Sequence, residues 1–454
     1  MLNPRLDLMN KFLLSTIAFI FFFSSIKASS TIYVNHAATG TNAGTSWTNA
    51  YTTLQTAIAA ASVGDAIWVA KGTYKPHATD QTASFTPNGI SLYGGFAGNE
   101  TLLSQRNVLG NPTILSGDLS GNDVGFTNNS ENSFHVVLVS SSGNATLIDG
   151  FTVSGGNSNG GVGDPRLGAG IKITDGASTT LKIENCILEY NIAFNGGGLY
   201  VYNTSSGQTH TVTVENTIFR NNSQQIQGSA IYKAFNVNLA VINCTFASNG
   251  SSNVLYSYTS GGSFSLINSL FQETGTYIVG ASSGTFSFDH CLFGDDPSSN
   301  SSITTFTNNL ISKDALLGTG QILQSGSPAI NAGLNTAVLA STDIAGNTRI
   351  INTTVDIGAY EYTGPITEVK NITLINELNV FPNPSQDVWN INMSQGQMIK
   401  DITIYDGLGK KMRTENYNGA ETAVLNIESL PQGMYAVNII SMEGGNFNVK
   451  LIKK

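Results

Sequence analysis

Glu184 and Glu215 occupy the same place in two segments of matching pattern, LKIENCIL from Leu181 and VTVENTIF from Val212. On neighbouring parallel strands their backbones would lie about 4.8 Å apart. A carboxylate pair at that spacing offers oxygen ligands to Ca²⁺. It can also share a proton, because like charges raise one pKa. Lys182 falls two residues before Glu184, on the same face. The plain alternative is a solvated charged face, since exposed charges contribute little. The next segments place Ile242, Ile267 and Asp289 in this column, so it does not continue as acid. Glu189 and Arg220 share another column and read as a cross-strand ion pair without a catalytic role.

Aromatic side chains form a second candidate. Tyr200, Tyr232 and Tyr256 follow Leu199, Ile231 and Leu255. If those aliphatic residues face inward, the rings face out and offer flat apolar faces with polar tips, suited to stacking on sugars. Reversed parity, or loops laid over them, would make them packing residues instead. Asp118, Asp123 and His135, Asp164 with Arg166, and Asp295 with Asp296 sit in loop-like stretches where metal or substrate contact and ordinary turn duty both fit. The five His residues form no H-x-x-x-H pair, so no metal site is assigned, and Ca²⁺ is the one cofactor kept open. No phosphate-binding loop is present.

The elements that must position these residues are visible as a repeat. LKIENCIL, VTVENTIF, LAVINCTF from Leu239, FSLINSLF from Phe264 and FSFDHCLF from Phe286 start 31, 27, 25 and 22 residues apart. Their apolar residues alternate, which predicts strands of fixed register joined by loops of free length. Leu181, Val212, Leu239, Phe264 and Phe286 form one inward column, and Ile183, Val214, Val241, Leu266 and Phe288 another. Asn185, Asn216, Asn243, Asn268 and His290 form a polar column, read as a ladder of amides bonding one another and the turn backbone. Asn191, Asn222 and Asn249 predict a second ladder that lapses at Thr274 and Asp296. Cys186, Cys244 and Cys291 alternate with Thr217 and Ser269. Consecutive Cys lie two rungs apart, about 9.6 Å, beyond the roughly 7 Å a disulfide spans. Three free, buried thiols are expected.

These columns resemble the right-handed parallel β-helix of the pectin-lyase-like superfamily. Further segments extend the resemblance: Tyr51–Ala61 as a capping helix, Gly64 to Tyr74, Leu92 to Gly98, Ile148 to Val153, Gly326 to Gly333 and Asp356 to Glu361. Together they look like a secreted β-helix group of the Bacteroidota, the choice-of-anchor Q type. The resemblance implies about 10–12 coils over residues 31–363. Glu184, Glu215 and Lys182 then resemble the carboxylates and basic residue of polysaccharide lyases on this fold, although no lyase or hydrolase signature surrounds them.

Both ends read as addresses. Arg5 and Lys11 precede the apolar stretch Phe12–Ile26, and small residues follow at 28–30, the order of a secretory signal. A membrane anchor would need about 20 apolar residues. Residues 364–377 read as a linker. From 378, Pro382-Asn383-Pro384 leads into alternating segments at Val388–Met393, Ile399–Tyr405, Ala423–Ile427, Met434–Ile440 and Phe447–Ile452, with turns around Gly409 and Gly433. This pattern predicts a small β-sandwich. With Tyr435 and the Lys-Leu-Ile-Lys-Lys terminus, it resembles the type A sorting domain of the type IX secretion system. That implies Sec export, contact with the secretion machinery, and a secreted or surface fate. An ordinary carbohydrate-binding or immunoglobulin-like sandwich is the competing reading.

Composition agrees with such a fate. Of 454 residues, 48 are Gly and only 11% are charged, with 21 Lys+Arg against 30 Asp+Glu, a formal charge of −9. That balance, with no basic run, excludes ordinary nucleic-acid binding. Three Cys exclude a disulfide-stapled miniprotein and a four-Cys zinc site. The expectation is an all-β, monomeric, secreted or surface β-helix that binds extracellular polysaccharide or acts as an adhesin. The alternative is a polysaccharide lyase or glycoside hydrolase.

Overall fold

The computed structural model describes residues 29–158, 166–250, 252–273, 277–364, 378–393, 398–407, 409–442 and 446–454. The signal-like 1–28, the linker at 365–377, Asp164 and Thr274 lie outside them. The chain divides into two units, Met1–Thr367 and Glu368–Lys454.

In the first unit the alternating segments become parallel strands that stack in chain order. One sheet holds ten strands, from Thr31–Val34 through Thr180–Glu184, His210–Glu215 and Val237–Ile242 to Ile303–Thr307. Eight-stranded and six-stranded sheets run beside it with the same order. Each coil therefore visits the sheets in turn, and the architecture is a parallel β-helix. The register matches the sequence columns: Leu181 pairs with Val212, Val212 with Leu239, and Leu239 with Phe264. A strand shows alternate residues to opposite faces, so one face of every rung fills a single apolar core that includes Ile183, Val214, Val241 and Leu266. Phe219, Phe246, Phe271 and Phe293 stack in that core, with centroids 5.0, 4.6 and 5.0 Å apart. Helix Leu54–Ala60, N-capped by Thr53, lays Leu54 and Ala57 against the first coil. This covers an apolar end, as a solenoid requires.

Cys186, Cys244 and Cys291 are free and buried. Burial pushes the Cys186 and Cys291 thiols up to about 12. They act as small apolar residues with a weak bond to the carbonyl two residues back, as Thr217 and Ser269 do more strongly between them.

The polar column has a different basis from the one expected. Asn185, Asn216, Asn243 and Asn268 have φ of 51°, 47°, 50° and 51°, and His290 has 49°. Each rung leaves the first sheet through a left-handed corner, which Asn tolerates better than most side chains. Amide-to-amide contact occurs once, from Asn216 Nδ2 to Asn185 Oδ1 at 3.3 Å. Three of the amides reach into a C-terminal segment folded back along this corner. Asn216 Nδ2 donates to Thr342 O, Asn243 Nδ2 to Asp356 O and Asn268 Nδ2 to Leu334 O. Replacing Asn216 by Ala should cost about 1 kcal/mol more than replacing it by Gly. Both variants lose the amide, so denaturant unfolding of the two isolates the backbone effect.

The true amide ladder is the second one. Asn191 Nδ2 donates to Asn222 Oδ1 and Asn222 Nδ2 to Asn249 Oδ1, both at 3.1 Å. It ends on Glu273, whose carboxylate accepts from the Asn249 backbone N–H at 2.9 Å and from its amide at 2.7 Å. Burial raises the Glu273 carboxyl from 4.5 to about 7, against the lowering effect of the Asn249 bonds. The folded chain thus keeps a proton that the unfolded chain releases above 4.5. Stability from this group is greatest below 4.5 and declines as pH rises to about 7, by about 3 kcal/mol at most. Thermal unfolding at pH 5 and pH 7.5 should show a smaller pH difference in Glu273→Gln than in the parent.

The second unit is a sandwich of two antiparallel sheets, one of three strands and one of four. Trp389, Ile391 and Leu425 of one pack against Ile402, Val437 and Ile439 of the other. Two strands join those expected, Leu378–Phe381 and Lys411–Ala420. Asn383 ties the Pro-Asn-Pro stretch to the last strand, accepting from Ile452 N at 2.9 Å and donating to Lys450 O at 3.2 Å. Tyr435 donates its hydroxyl to Pro431 O at 2.6 Å. Gly409, at φ 82°, closes the turn begun by Asp406.

Candidate functional site

The carboxylate column is one rung longer than the sequence reading had it. Asp149 pairs with Glu184, and Glu184 with Glu215, so three acids stand on successive rungs. Their environments differ. Asp149 is bound by Arg106 and by Asn185 Nδ2 at 2.9 Å. Burial raises its carboxyl, while the Arg106 charge opposes that rise. Lys182 Nζ bridges Glu184 at 2.9 Å and Glu215 at 3.2 Å. Burial acts to lower this ammonium, but the Glu184 hydrogen bond and the two negative charges leave it above its ordinary value.

Glu215 is not on an open face. Its Oε1 accepts from Leu339 N at 3.1 Å and Ala340 N at 2.7 Å, and its side chain is only 1% exposed. The reading of Glu184 and Glu215 as equivalent outward carboxylates is therefore corrected: the folded-back C-terminal segment covers Glu215. A cleft of about 780 Å³ opens beside the column, between residues 102–108 and 341–346. Arg106, Asn185 and Asp343 line it. The Asp343 oxygens are engaged by Ala345 N, Asn347 N and Glu361 N. The Glu189–Arg220 pair forms as expected, at 2.6 Å, and Arg220 also reaches Gln321 at 2.9 Å.

The tyrosines have the expected parity but not the expected exposure. Leu199, Ile231 and Leu255 are in the core, and the rings lie on the outside of the six-stranded sheet. Tyr200, Tyr232 and Tyr256 stack on one another at 5.0 and 5.2 Å and are 6, 6 and 8% exposed. Their faces are thus occupied by each other, which corrects the reading of an open stripe. The stack leads to open ground at its Tyr256 end. There a hollow of about 550 Å³ is lined by Tyr256, Gln227, Asn253, Ser282, Asn300 and Tyr277. Tyr277 is 77% exposed. On its other side lies a hollow of about 360 Å³ that includes Asp295 and Asp296. Tyr277 escaped the sequence reading because its column repeats no aromatic residue; Asn253, one rung before, pairs with it.

Asp118 and Asp123 come together with Glu131, their oxygens within 4.8 Å of one another. His135 does not join them. Its Nδ1 sits 2.5 Å from Gly168 O and 3.2 Å from Ser158 Oγ, inside the wall of the coil. Arg166 lays its guanidinium 3.7 Å over the Phe194 ring. Among the described residues, no helix is long and apolar enough to cross a membrane.

No curated protein matches this chain. Among solved structures it is similar to the pectin methylesterase from Aspergillus niger, at 14% identity and TM-score 0.32, over 63% of this chain and 86% of that one. It is also similar to pectate lyase Pel9A, at 14% identity and TM-score 0.28, over 74% and 97%. Neither likeness bears on activity. Residues 379–454 match the family described as Secretion system C-terminal sorting domain, so the sandwich is the type IX sorting domain expected there, and the chain is one sorted for secretion or the cell surface.

Proposed function

We propose that the secreted β-helix binds an extracellular polysaccharide, as a non-catalytic binder or adhesin, on the face that runs from the stacked tyrosines to Tyr277. The observation that carries this reading is Tyr277 itself, an open ring between two hollows lined by amides, hydroxyls and carboxylates. A sugar presents an apolar ring face and a rim of hydroxyls. An exposed aromatic face flanked by hydrogen-bonding side chains complements both. Tyr256 borders this ground, and Tyr200 and Tyr232 stiffen it from behind. Export engages the type IX machinery through the sorting domain. Replacing Tyr277 by Ala should weaken retention on the bound polysaccharide about tenfold, roughly 1.4 kcal/mol, as read by affinity electrophoresis. Unchanged retention would remove the reading.

A second reading, a polysaccharide lyase or glycoside hydrolase, is favoured by one feature: Lys182 bridges Glu184 and Glu215 beside the larger cleft. Against it, each acid of the column is already engaged by a cation or by backbone N–H groups.

A further inference from the structure

We propose that the loop following strand Thr113–Ser116 holds one divalent cation, Ca²⁺ by its ligand chemistry, through Asp118, Asp123, Glu131 and the amide oxygen of Asn132. The three carboxylates present oxygens within 4.8 Å of one another. Three like charges that close repel, and a cation with oxygen ligands would relieve that repulsion. The independent observation is Asn132. This side chain is fully buried, its Nδ2 donates to Asp123 Oδ2 and to Gly155 O, both at 2.7 Å, and its Oδ1 has no partner. Two acceptors around the nitrogen fix the amide orientation, so the oxygen cannot be exchanged for it. A buried amide oxygen without a donor carries a desolvation penalty of about 1–3 kcal/mol. Asp123 Oδ1 and Glu131 Oε1 are likewise buried and without a donor. Because its nitrogen bonds Asp123, the Asn132 amide oxygen lies beside the carboxylates, and Lys75 is the one cation whose charge acts on Asp123 among the described residues.

The remaining carboxylate organises the loop. Asp118 Oδ1 accepts from Gly121 N and Asn122 N, and its Oδ2 from Asp123 N. Lys75 stands beside the loop and donates to Leu119 O at 3.0 Å. Four protein oxygens of mixed carboxylate and amide type, with water completing six to eight ligands, suit Ca²⁺ rather than Zn²⁺, which takes nitrogen and sulfur. The bound ion would pin the loop that links strand Thr113–Ser116 to strand Val137–Val139.

The test is calorimetric titration of the EDTA-treated full chain with CaCl₂. One Ca²⁺ per chain is expected, with a Kd below about 1 mM and a rise in Tm on saturation. Asp123→Asn and Glu131→Gln should each weaken binding at least tenfold, with circular dichroism confirming that both remain folded. Glu184→Gln, in the acidic column, should bind as the parent does. Absence of binding up to several millimolar, unchanged binding in the Asp123→Asn/Glu131→Gln double variant, or loss of binding in Glu184→Gln would each overturn the assignment.

Discussion

Arg349→Met should destabilise the β-helix unit by about 3–5 kcal/mol. Arg349 is 1% exposed and holds the C-terminal segment together from inside. Its guanidinium donates to Ala359 O at 3.2 Å, Asp356 O at 3.2 Å and Gly358 O at 2.6 Å, and its Nε lies 3.6 Å from Glu361 Oε1. Removing it takes the donor from Gly358 O, leaves Asp356 O and Ala359 O with only Asn243 Nδ2 and Ile344 N, and leaves Glu361, Asp343, Asp356 and Glu215 short of a compensating charge. Breaking one side of a buried charge network is costly because the other side stays buried. Even with Arg349 in place, burial pushes the Glu361 carboxyl up to about 8. In the variant the deficit should therefore grow as pH rises through 8, and Glu361→Gln should restore part of the loss. Hydrogen exchange would locate the damage. Residues 327–361 should lose protection first, while the rungs from Thr180 to Cys244 keep theirs. Uniform loss across both would contradict a separately fastened segment.

Deletion of residues 378–454 should abolish arrival of the protein at the cell surface or in the medium of its native host. The sandwich is a separate unit with its own core, so the β-helix keeps its rungs without it. The defect expected is in transport, with folded β-helix accumulating inside the envelope. A milder version is Asn383→Ala, which frees the Pro-Asn-Pro stretch from Ile452 and Lys450. Unchanged surface and medium levels on immunoblots after the full deletion would contradict the sorting assignment.

Much of the fold was legible because a parallel rung repeats its side-chain register whatever the loop length. Columns such as Leu181, Val212 and Leu239 can be aligned by eye, and so could the Cys spacing that forbids a disulfide. The Asn corner was legible as a column but not in its cause. Sequence shows a repeated amide, while the left-handed φ that favours it is a property of the backbone. Glu273 was missed as the end of the second ladder because it lies one residue before the position alignment assigns to it. The folded-back segment was invisible for another reason. Its bonds, such as Ala340 N to Glu215 and Ala359 N to Thr245, join residues more than 100 apart with no periodic signal. That segment buried Glu215 and so changed the reading of the acidic column. The tyrosines show the limit of parity, which says which side of a sheet a ring lies on and not whether its neighbours cover it.

Binding without turnover at the Tyr277 end of the β-helix is what the proposed function requires. The most direct measurement incubates the purified chain with a panel of acidic and neutral polysaccharides, with and without Ca²⁺. Retention, new reducing ends and absorbance from unsaturated products are followed in the same samples. The expected result is retention on at least one polysaccharide, diminished by Tyr277→Ala, with no new ends and no unsaturated product. Release of either product, abolished by Glu184→Gln and indifferent to Tyr277→Ala, would contradict it and move the function to the acidic column.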